Sequence, residues 1–148
     1  MASTLTNLLY HLVFSTKNRE PIIVRGIRAE LHNYMGGVIK GEGGVCLEIG
    51  GTDDHVHLLI KLKPTSSVSD VLKMVKGKST KWINDQNMLS QTFAWQAGYG
   101  AFSVSVSEAV NVARYVRGQE KHHRDFSFQD ELLQLLGKHD VEFDQRYL

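Results

Sequence analysis

Two histidines stand one residue apart in GGTDDHVHLLIKL, residues 50–62, at the head of an apolar run. Alternate side chains of a strand point to opposite faces, so His55 and His57 would share one face and leave the other aliphatic. Two neutral imidazoles on one face can bind one metal ion, whereas the plainer interpretation is a pair of partly exposed strand histidines. Cys46 is the only cysteine, which argues against a four-ligand structural zinc site. If a metal binds, we expect an open, functional site with a third ligand from elsewhere in the chain.

A second group of residues that could take part in chemistry lies in SEAVNVARYVRGQEKHH, residues 107–123. Tyr115 and Gln119 are four residues apart, so on a helix they lie one turn apart on the same side. Glutamine offers a neutral carbonyl oxygen to a cation, and tyrosine offers a phenol that becomes a nucleophile once its proton is removed. Taken alone, this helix favours an ordinary packed tyrosine.

The elements that would position these residues are predicted in the order β-α-β-β-α-β, followed by two further helices. The patterns predict strands over 5–16, 45–51, 55–62 and 93–107, and helices over 22–39, 71–85, 108–122 and 128–138. Ser67 or Ser69 is predicted to cap the second helix, and Ser107 the third. This is an α+β fold of the ferredoxin-like, RRM-like kind, an antiparallel sheet whose first and third strands are central and whose two helices cover one face. His55 and His57 would then lie on the opposite, exposed face.

Composition sets broad limits on the class of protein. The chain has 148 residues, 42% hydrophobic side chains and a net charge of +1, which is ordinary for one globular domain spanning 1–148. The lone cysteine fits a reducing compartment, and no apolar run is long enough to span a membrane. The N-terminus lacks the basic start and cleavage site of a signal peptide, so we expect a cytoplasmic protein with no membrane partner.

With these elements in place, the sequence resembles the HUH-type single-tyrosine transposases of the smallest bacterial insertion sequences. HUH denotes histidine, a hydrophobic residue and histidine, here His55-Val56-His57. The likeness runs from YHLVFSTKNREPI through GGTDDHVHLLI, VLKMVKGKSTKWIN and GYGAFSVSVS to YVRGQEKHHRDFSFQDE and HDVEFDQRYL. The block that contains Tyr115, Gln119, His122 and His123 is its most specific part.

The resemblance implies a metal site and a nucleophile. His55, His57 and Gln119 would bind a divalent metal, Mg²⁺ or Mn²⁺. Tyr115 would attack a phosphodiester of single-stranded DNA, form a 5′-phosphotyrosine and release a 3′-hydroxyl. All three predicted ligands are neutral, so the ion would keep its full charge for the substrate phosphate. The family also implies a homodimer in which the tyrosine helix can complete the partner's site. Gly118 weakens that helix locally and is either a hinge for it or a solvent-facing glycine of no consequence.

The predicted partner is single-stranded DNA that carries hairpins. Lysines recur through the second helix, and two arginines flank the tyrosine; such side chains contact phosphates without reading bases. The candidates for DNA binding are Lys73, Lys76, Lys78, Lys81, Arg114 and Arg117. A solvated helix face is the alternative explanation for the lysines.

Several alternatives stay open at this point. His122 and His123 either assist the site or merely cap a helix end, and His11 neighbours the metal histidines only if the first strand has the right register. The alternative function is a non-cleaving, domesticated protein that binds hairpins in DNA or RNA. A small-molecule metalloenzyme is a third class, with no further ligand motif to support it.

Overall fold

The computed structural model describes residues 3–148, in which a four-stranded antiparallel sheet forms the centre. The strands are β1 (Leu8–Ser15), β2 (Val45–Gly51), β3 (His55–Leu62) and β4 (Gly100–Val104), in the spatial order β2-β3-β1-β4. The helices are α1 (Arg25–Gly41), α2 (Val68–Asp85), α3 (Ala109–Arg117), α4 (Gln119–His122) and α5 (Phe128–Lys138). Short 3₁₀ turns lie at Lys17–Arg19, Val106–Glu108 and Gln145–Tyr147. The ferredoxin-like arrangement predicted from the sequence, with β1 and β3 in the middle, is confirmed.

The larger core lies between the sheet and helices α1 and α2. The even-numbered side chains of β3, from Val56 to Leu62, and Leu12 and Phe14 of β1 are buried there. Both helices are amphipathic and place their apolar stripes on this face. The side chain of Ser67 accepts a hydrogen bond from the backbone N–H of Asp70, which confirms one of the two predicted caps of α2.

The opposite face of the sheet is covered as well. Helices α3 and α5 lie over it, and a smaller apolar cluster joins α5 to β1 and β4. The buried members of this cluster are Val13, Phe102, Phe128, Leu135 and Leu136. The prediction that this face is exposed is therefore wrong, and the histidines that point towards it lie under a second layer of helices.

Two predicted elements are shorter than expected. Of the predicted strand over 93–107, only β4 forms. Phe93 and Trp95 lie in a loop whose side chains are buried, so they give a strand-like apolar pattern without the hydrogen bonds of a β-strand. That loop is held by the backbone N–H of Phe93, which donates to the Asn84 amide oxygen at 2.8 Å. The predicted helix over 108–122 divides into α3 and α4 at Gly118, and α3 begins after a 3₁₀ turn with no side-chain cap from Ser107.

Among residues 3–148, no helix is both long enough and apolar enough to cross a bilayer.

Candidate metal centre and tyrosine site

The histidine strand brings three imidazoles together beneath α3 and α5. His55 and His57 of β3 and His11 of β1 all point to the same face, and all three are buried. The register explains this, because Val13 of β1 pairs with His57 and therefore places His11 diagonally beside it. His11 Nε2 lies 2.7 Å from His57 Nδ1. The question that the sequence left open about His11 is thus answered by the strand register.

Burial on this face could have been predicted from β1. Its sequence LLYHLVFS is apolar on both faces, which is typical of a strand that is covered on both sides. The partly exposed histidine pair considered as the plainer interpretation is therefore wrong, since both imidazoles are buried.

The centre of the cluster is Glu131 of α5, which the sequence analysis did not single out. One carboxylate oxygen, Oε1, lies 2.8 Å from His57 Nε2, 2.8 Å from His123 Nε2 and 3.5 Å from His55 Nε2. The side chain is fully buried. A signal existed in the sequence, because Glu131 occupies a position of the apolar stripe that runs through Phe128 and Leu135 of α5. A charged residue in a buried stripe calls for a partner.

The other ring nitrogen of each clustered imidazole is held by a hydrogen-bonding group. His55 Nδ1 lies 2.7 Å from a carboxylate oxygen of Asp54, and His123 Nδ1 donates to the backbone carbonyl of Phe126. His57 Nδ1 meets the ring of His11. Imidazoles that bind metals are usually held in this way, by a carboxylate or carbonyl on the nitrogen that faces away from the ion. Three Nε2 atoms are left to point towards Glu131.

Gln119 closes the site from the tyrosine helix. Its side chain is buried, and its amide oxygen lies 3.0 Å from His55 Nε2. The amide nitrogen donates to the carbonyl of Tyr115 at 3.2 Å, so the oxygen is the atom turned to the imidazole. Because Nδ1 of His55 faces Asp54, a neutral His55 would set two electron-pair donors against each other here. A cation held by both side chains would resolve that conflict.

Tyr115 lies at the edge of the same cluster and is half-buried. Its hydroxyl donates to the second carboxylate oxygen of Glu131, and its ring contacts those of His57 and His11 edge-on at 5.7 and 6.0 Å between centroids. The structure thus brings together all four residues predicted for chemistry, Tyr115, His55, His57 and Gln119, within one chain.

The tyrosine helix reaches this place because β2 is free of side chains where the helix crosses it. An added Cβ at Gly50 would overlap the backbone carbonyl of Val116, the residue after Tyr115. A glycine is therefore required at position 50 for α3 to pack on the sheet of the same chain. Gly118 then ends α3 with φ −89°, a conformation open to any residue, and the following turn delivers Gln119 inward.

The charge state of the cluster follows from its burial and contacts. Burial lowers the pKa of His57 to about 4 and that of His11 to about 3, so both rings are neutral near pH 7. Burial alone would raise the pKa of Glu131, but hydrogen bonds from His123 and His57 outweigh it and hold that pKa below its usual range. Burial and the hydrogen bond to Glu131 raise the pKa of Tyr115, so the phenol is protonated at rest.

The donor set fits a divalent metal ion. One ligand atom from each of His55, His57, His123 and Glu131 can be chosen so that all lie within 4.8 Å of one another. This spread is close to the roughly 4 Å span of a coordination shell whose bonds are about 2.0–2.2 Å long. The set differs from the all-neutral ligands expected from the sequence, because Glu131 contributes one negative charge.

The predicted DNA-binding cations lie in two places. Those of α2 are on the sheet face opposite the metal centre, where Lys73 and Lys78 are exposed and Lys81 pairs with Asp85 at 2.6 Å. Lys76 donates to the carbonyls of Gln96 and Gly98, which fixes the loop before β4. On α3, Arg114 is exposed, and Arg117 lies 2.8 Å from Glu48 of β2. The α2 lysines therefore lie away from the tyrosine, and the role of all six cations stays a prediction.

The architecture places the chain among solved transposase folds. The crystal structure of a putative transposase from Deinococcus radiodurans R1 superposes with a TM-score of 0.66 at 23% identity, over 78% of this chain and 93% of that one. The structure of a REP-associated tyrosine transposase bound to a REP hairpin gives a TM-score of 0.63 at 13% identity, over 97% and 90%. These likenesses establish the class of fold.

Sequence comparison gives the family. The chain is 23% identical over 117 residues to the ISDra2 transposase TnpA of Deinococcus radiodurans, which covers 76% of this chain and 84% of that protein. It is 29% identical over 86 residues to the transposase for insertion sequence element IS200 of Salmonella typhimurium, which covers 58% and 57%. The profile of the family "Transposase IS200 like" matches residues 4–119. The chain therefore belongs to the IS200-like transposase family, and the resemblance drawn from its motifs is confirmed.

Proposed function

We propose that this transposase cuts and rejoins single-stranded DNA at hairpin-bearing element ends, through a 5′-phosphotyrosine on Tyr115. The observation that carries the proposal is the meeting of the phenol and the imidazoles at one carboxylate. Tyr115 donates to one oxygen of Glu131, and His57 and His123 lie 2.8 Å from the other. Phosphoryl transfer needs a positioned nucleophile beside a cation that neutralises the phosphate, and this arrangement can supply both.

A divalent metal ion would be held by His55, His57 and Gln119, with His123 and Glu131 as further ligands. Mg²⁺ prefers oxygen ligands and retained water, whereas several imidazoles favour a transition metal. Of the two ions implied by the family, Mn²⁺ therefore suits this donor set better than Mg²⁺. The ion would supply positive charge that stabilises the phenolate and neutralises the scissile phosphate.

The residues of the chain perform the steps around that charge. Glu131 fixes the Tyr115 oxygen by accepting its hydrogen bond, and Gln119 ties the same turn of helix to His55. The phenol passes its proton to the Glu131 carboxylate that accepts its hydrogen bond, and its oxygen attacks phosphorus as the bond to the 3′ oxygen breaks. That 3′ oxygen takes up a proton from water, to which Glu131 returns its own, and leaves as a hydroxyl, while the phosphate stays on Tyr115. Attack by another 3′-hydroxyl reverses these changes and rejoins the strand, so the reaction consumes no ATP.

The hairpin is proposed to bind away from the reacting phosphate. Lys73 and Lys78 of α2 and Arg114 of α3 are exposed cations that can contact its backbone. The REP-associated neighbour is bound to a hairpin, which supports this class of partner. A homodimer also stays part of the proposal, although the tyrosine and the metal ligands already meet within one chain. The single cysteine fits a cytoplasmic setting for the reaction.

The test is formation of a covalent adduct. The protein is incubated with Mn²⁺ or Mg²⁺ and a labelled single strand that carries a hairpin taken from palindromes beside the gene. We expect a band that resists denaturation, is stronger with Mn²⁺ and is absent in Tyr115→Phe. Tyr34→Phe is the matched control, because Tyr34 stacks on Trp82 on the other side of the sheet.

Tight hairpin binding with no adduct under either ion would contradict the proposal and favour the non-cleaving hairpin binder. An adduct that survives in Tyr115→Phe would assign the nucleophile to a different residue.

A further inference from the structure

A cavity of about 650 Å³ opens beside the hydroxyl of Tyr115, between β4, α3 and α5. Its volume falls within the roughly 300–1,000 Å³ of pockets that hold small ligands. Among its lining residues, His11 and Glu131 are buried and Tyr115 is half-buried, so whatever fills the cavity lies next to the reacting group. The proposed reaction uses Tyr115 and Glu131 and leaves the other lining residues without a role.

The walls of the cavity combine aliphatic surface with polar side chains, among them two amides and the carboxylate of Glu108. Val104 of β4, Val112 of α3 and Leu135 of α5 supply aliphatic surface. Asn111 and Gln134, from the two facing helices, add side chains that each carry a donor and an acceptor. Flat groups with apolar faces and hydrogen-bonding edges match such walls, and nucleobases are groups of this kind.

The place of the cavity relative to Tyr115 indicates which nucleotide of the substrate could enter it. Because Tyr115 lines the cavity, a base that enters it lies beside the nucleophile and belongs to a nucleotide close to the phosphate under attack. Lys138, an exposed residue of the lining, can contact the sugar-phosphate chain of the same strand. Single-stranded DNA can turn one base out of its stack into such a pocket at small cost.

We propose that this cavity receives the base of a nucleotide adjoining the scissile phosphate, and that Asn111 and Gln134 read its identity. The inference rests on the proposed function, since it assumes that a DNA strand is attached to Tyr115. It assigns part of the target specificity to α3 and α5 themselves, in addition to hairpin recognition elsewhere.

The test uses a single-stranded DNA library in which one hairpin is fixed and the bases around the expected cleavage point are randomised. Adducts formed with Mn²⁺ are isolated and their attached and released strands are sequenced. We expect one adjoining position to show about tenfold or greater preference for one base, as a good pair of hydrogen bonds gives. Asn111→Ala and Gln134→Ala should reduce that preference several-fold while adducts still form.

The control is Asn33→Ala, which removes an exposed amide from α1 on the other side of the sheet and should leave the preference unchanged. Thermal melting of each variant shows whether it folds, and the two amide variants give independent readouts. If the unaltered protein forms no adduct, the proposed function fails and the inference fails with it. If adducts form without preference at the adjoining positions, or both amide variants keep the preference, the cavity inference is overturned and the proposed function stands.

Discussion

The two sides of the candidate metal centre are held by different kinds of structure. His55 and His57 stand on β3, a central strand that is hydrogen-bonded to β1 on one side and to β2 on the other. His123 and Glu131 follow α3, at the end of α4 and on α5, and lie beyond residues 4–119 that the family profile matches. Helix α5 is joined to the sheet by a small apolar cluster around Val13 and Phe102.

This difference separates ligands that are placed in advance from ligands that depend on docking. The sheet fixes the backbone of β3 whether or not an ion binds, whereas Glu131 reaches the imidazoles only when α5 lies on the sheet. Ligands that are already in position bind the ion with no loss of conformational entropy. Ligands that must first be ordered lose part of their binding free energy to that entropy cost. We therefore expect the β3 ligands to set the affinity for metal and the C-terminal ligands to adjust it.

The sharpest test of this comparison exchanges one ligand from each side for alanine. His57→Ala should weaken Mn²⁺ binding by more than about 100-fold, because loss of a direct ligand should exceed the roughly 10–100-fold loss typical of an outer partner. His123→Ala should have a smaller effect. Isothermal titration calorimetry with Mn²⁺ on the full chain measures both, and equal losses in the two variants would end the distinction between the two sides.

The group behind His55 gives the next effect. Asp54→Asn weakens the acceptor 2.7 Å from His55 Nδ1, and we expect the Kd for Mn²⁺ to rise by about 10–100-fold. Asp53→Asn is the matched control, since Asp53 is the adjacent and exposed carboxylate. The titration is repeated with each protein. If the Kd rises equally in both variants, the loss of negative charge explains the weaker binding, and the orientation of the His55 imidazole does not.

The same comparison explains how much of the site could be predicted. The alternation in HVHLLIKL predicts both the strand and the shared face of His55 and His57, because a strand has a period of two whatever packs against it. The spacing of Tyr115 and Gln119 made them candidates on one side of a helix, and the resemblance supplied their roles. That helix is interrupted between them at Gly118.

Glu131 was missed because its partners lie 74 residues away in the chain, at His57, and 8 residues away, at His123. The helical period of α5 predicts that Glu131 shares a face with Phe128 and Leu135, but periodicity does not say which surface that face meets. The cover over the histidines was missed for the same reason. Both facts depend on where α5 docks, which local pattern does not specify.

A smaller effect tests how the tyrosine helix is seated on β2. Gly50→Ala places a methyl group against the carbonyl of Val116, and forced contacts of this kind cost about 1–3 kcal/mol. We expect a lower midpoint of unfolding and fewer Tyr115 adducts, because α3 must shift away from the imidazoles. Gly77→Ala is the control, since a Cβ there meets no atom within 4 Å among the residues described and a helix favours alanine. Normal adduct formation by Gly50→Ala would show that α3 can place Tyr115 in the site without packing closely on β2 at position 50.

The smallest effect concerns Gly118, which joins α3 to α4 between Tyr115 and Gln119. Its φ of −89° is open to alanine, and an added Cβ would come no closer than 3.4 Å to the carbonyl of Arg114. Gly118→Ala should therefore leave the fold intact and raise its free energy of unfolding by about 0.4–1 kcal/mol, through a less flexible unfolded chain. If the glycine serves only as a helix end, cleavage and rejoining by the variant should both match the unaltered protein. If α3 must swing about this residue to exchange strands, adducts should form at the normal rate while rejoining slows. Separate time courses for the adduct and the joined strand distinguish these outcomes, and denaturant unfolding checks the gain in stability.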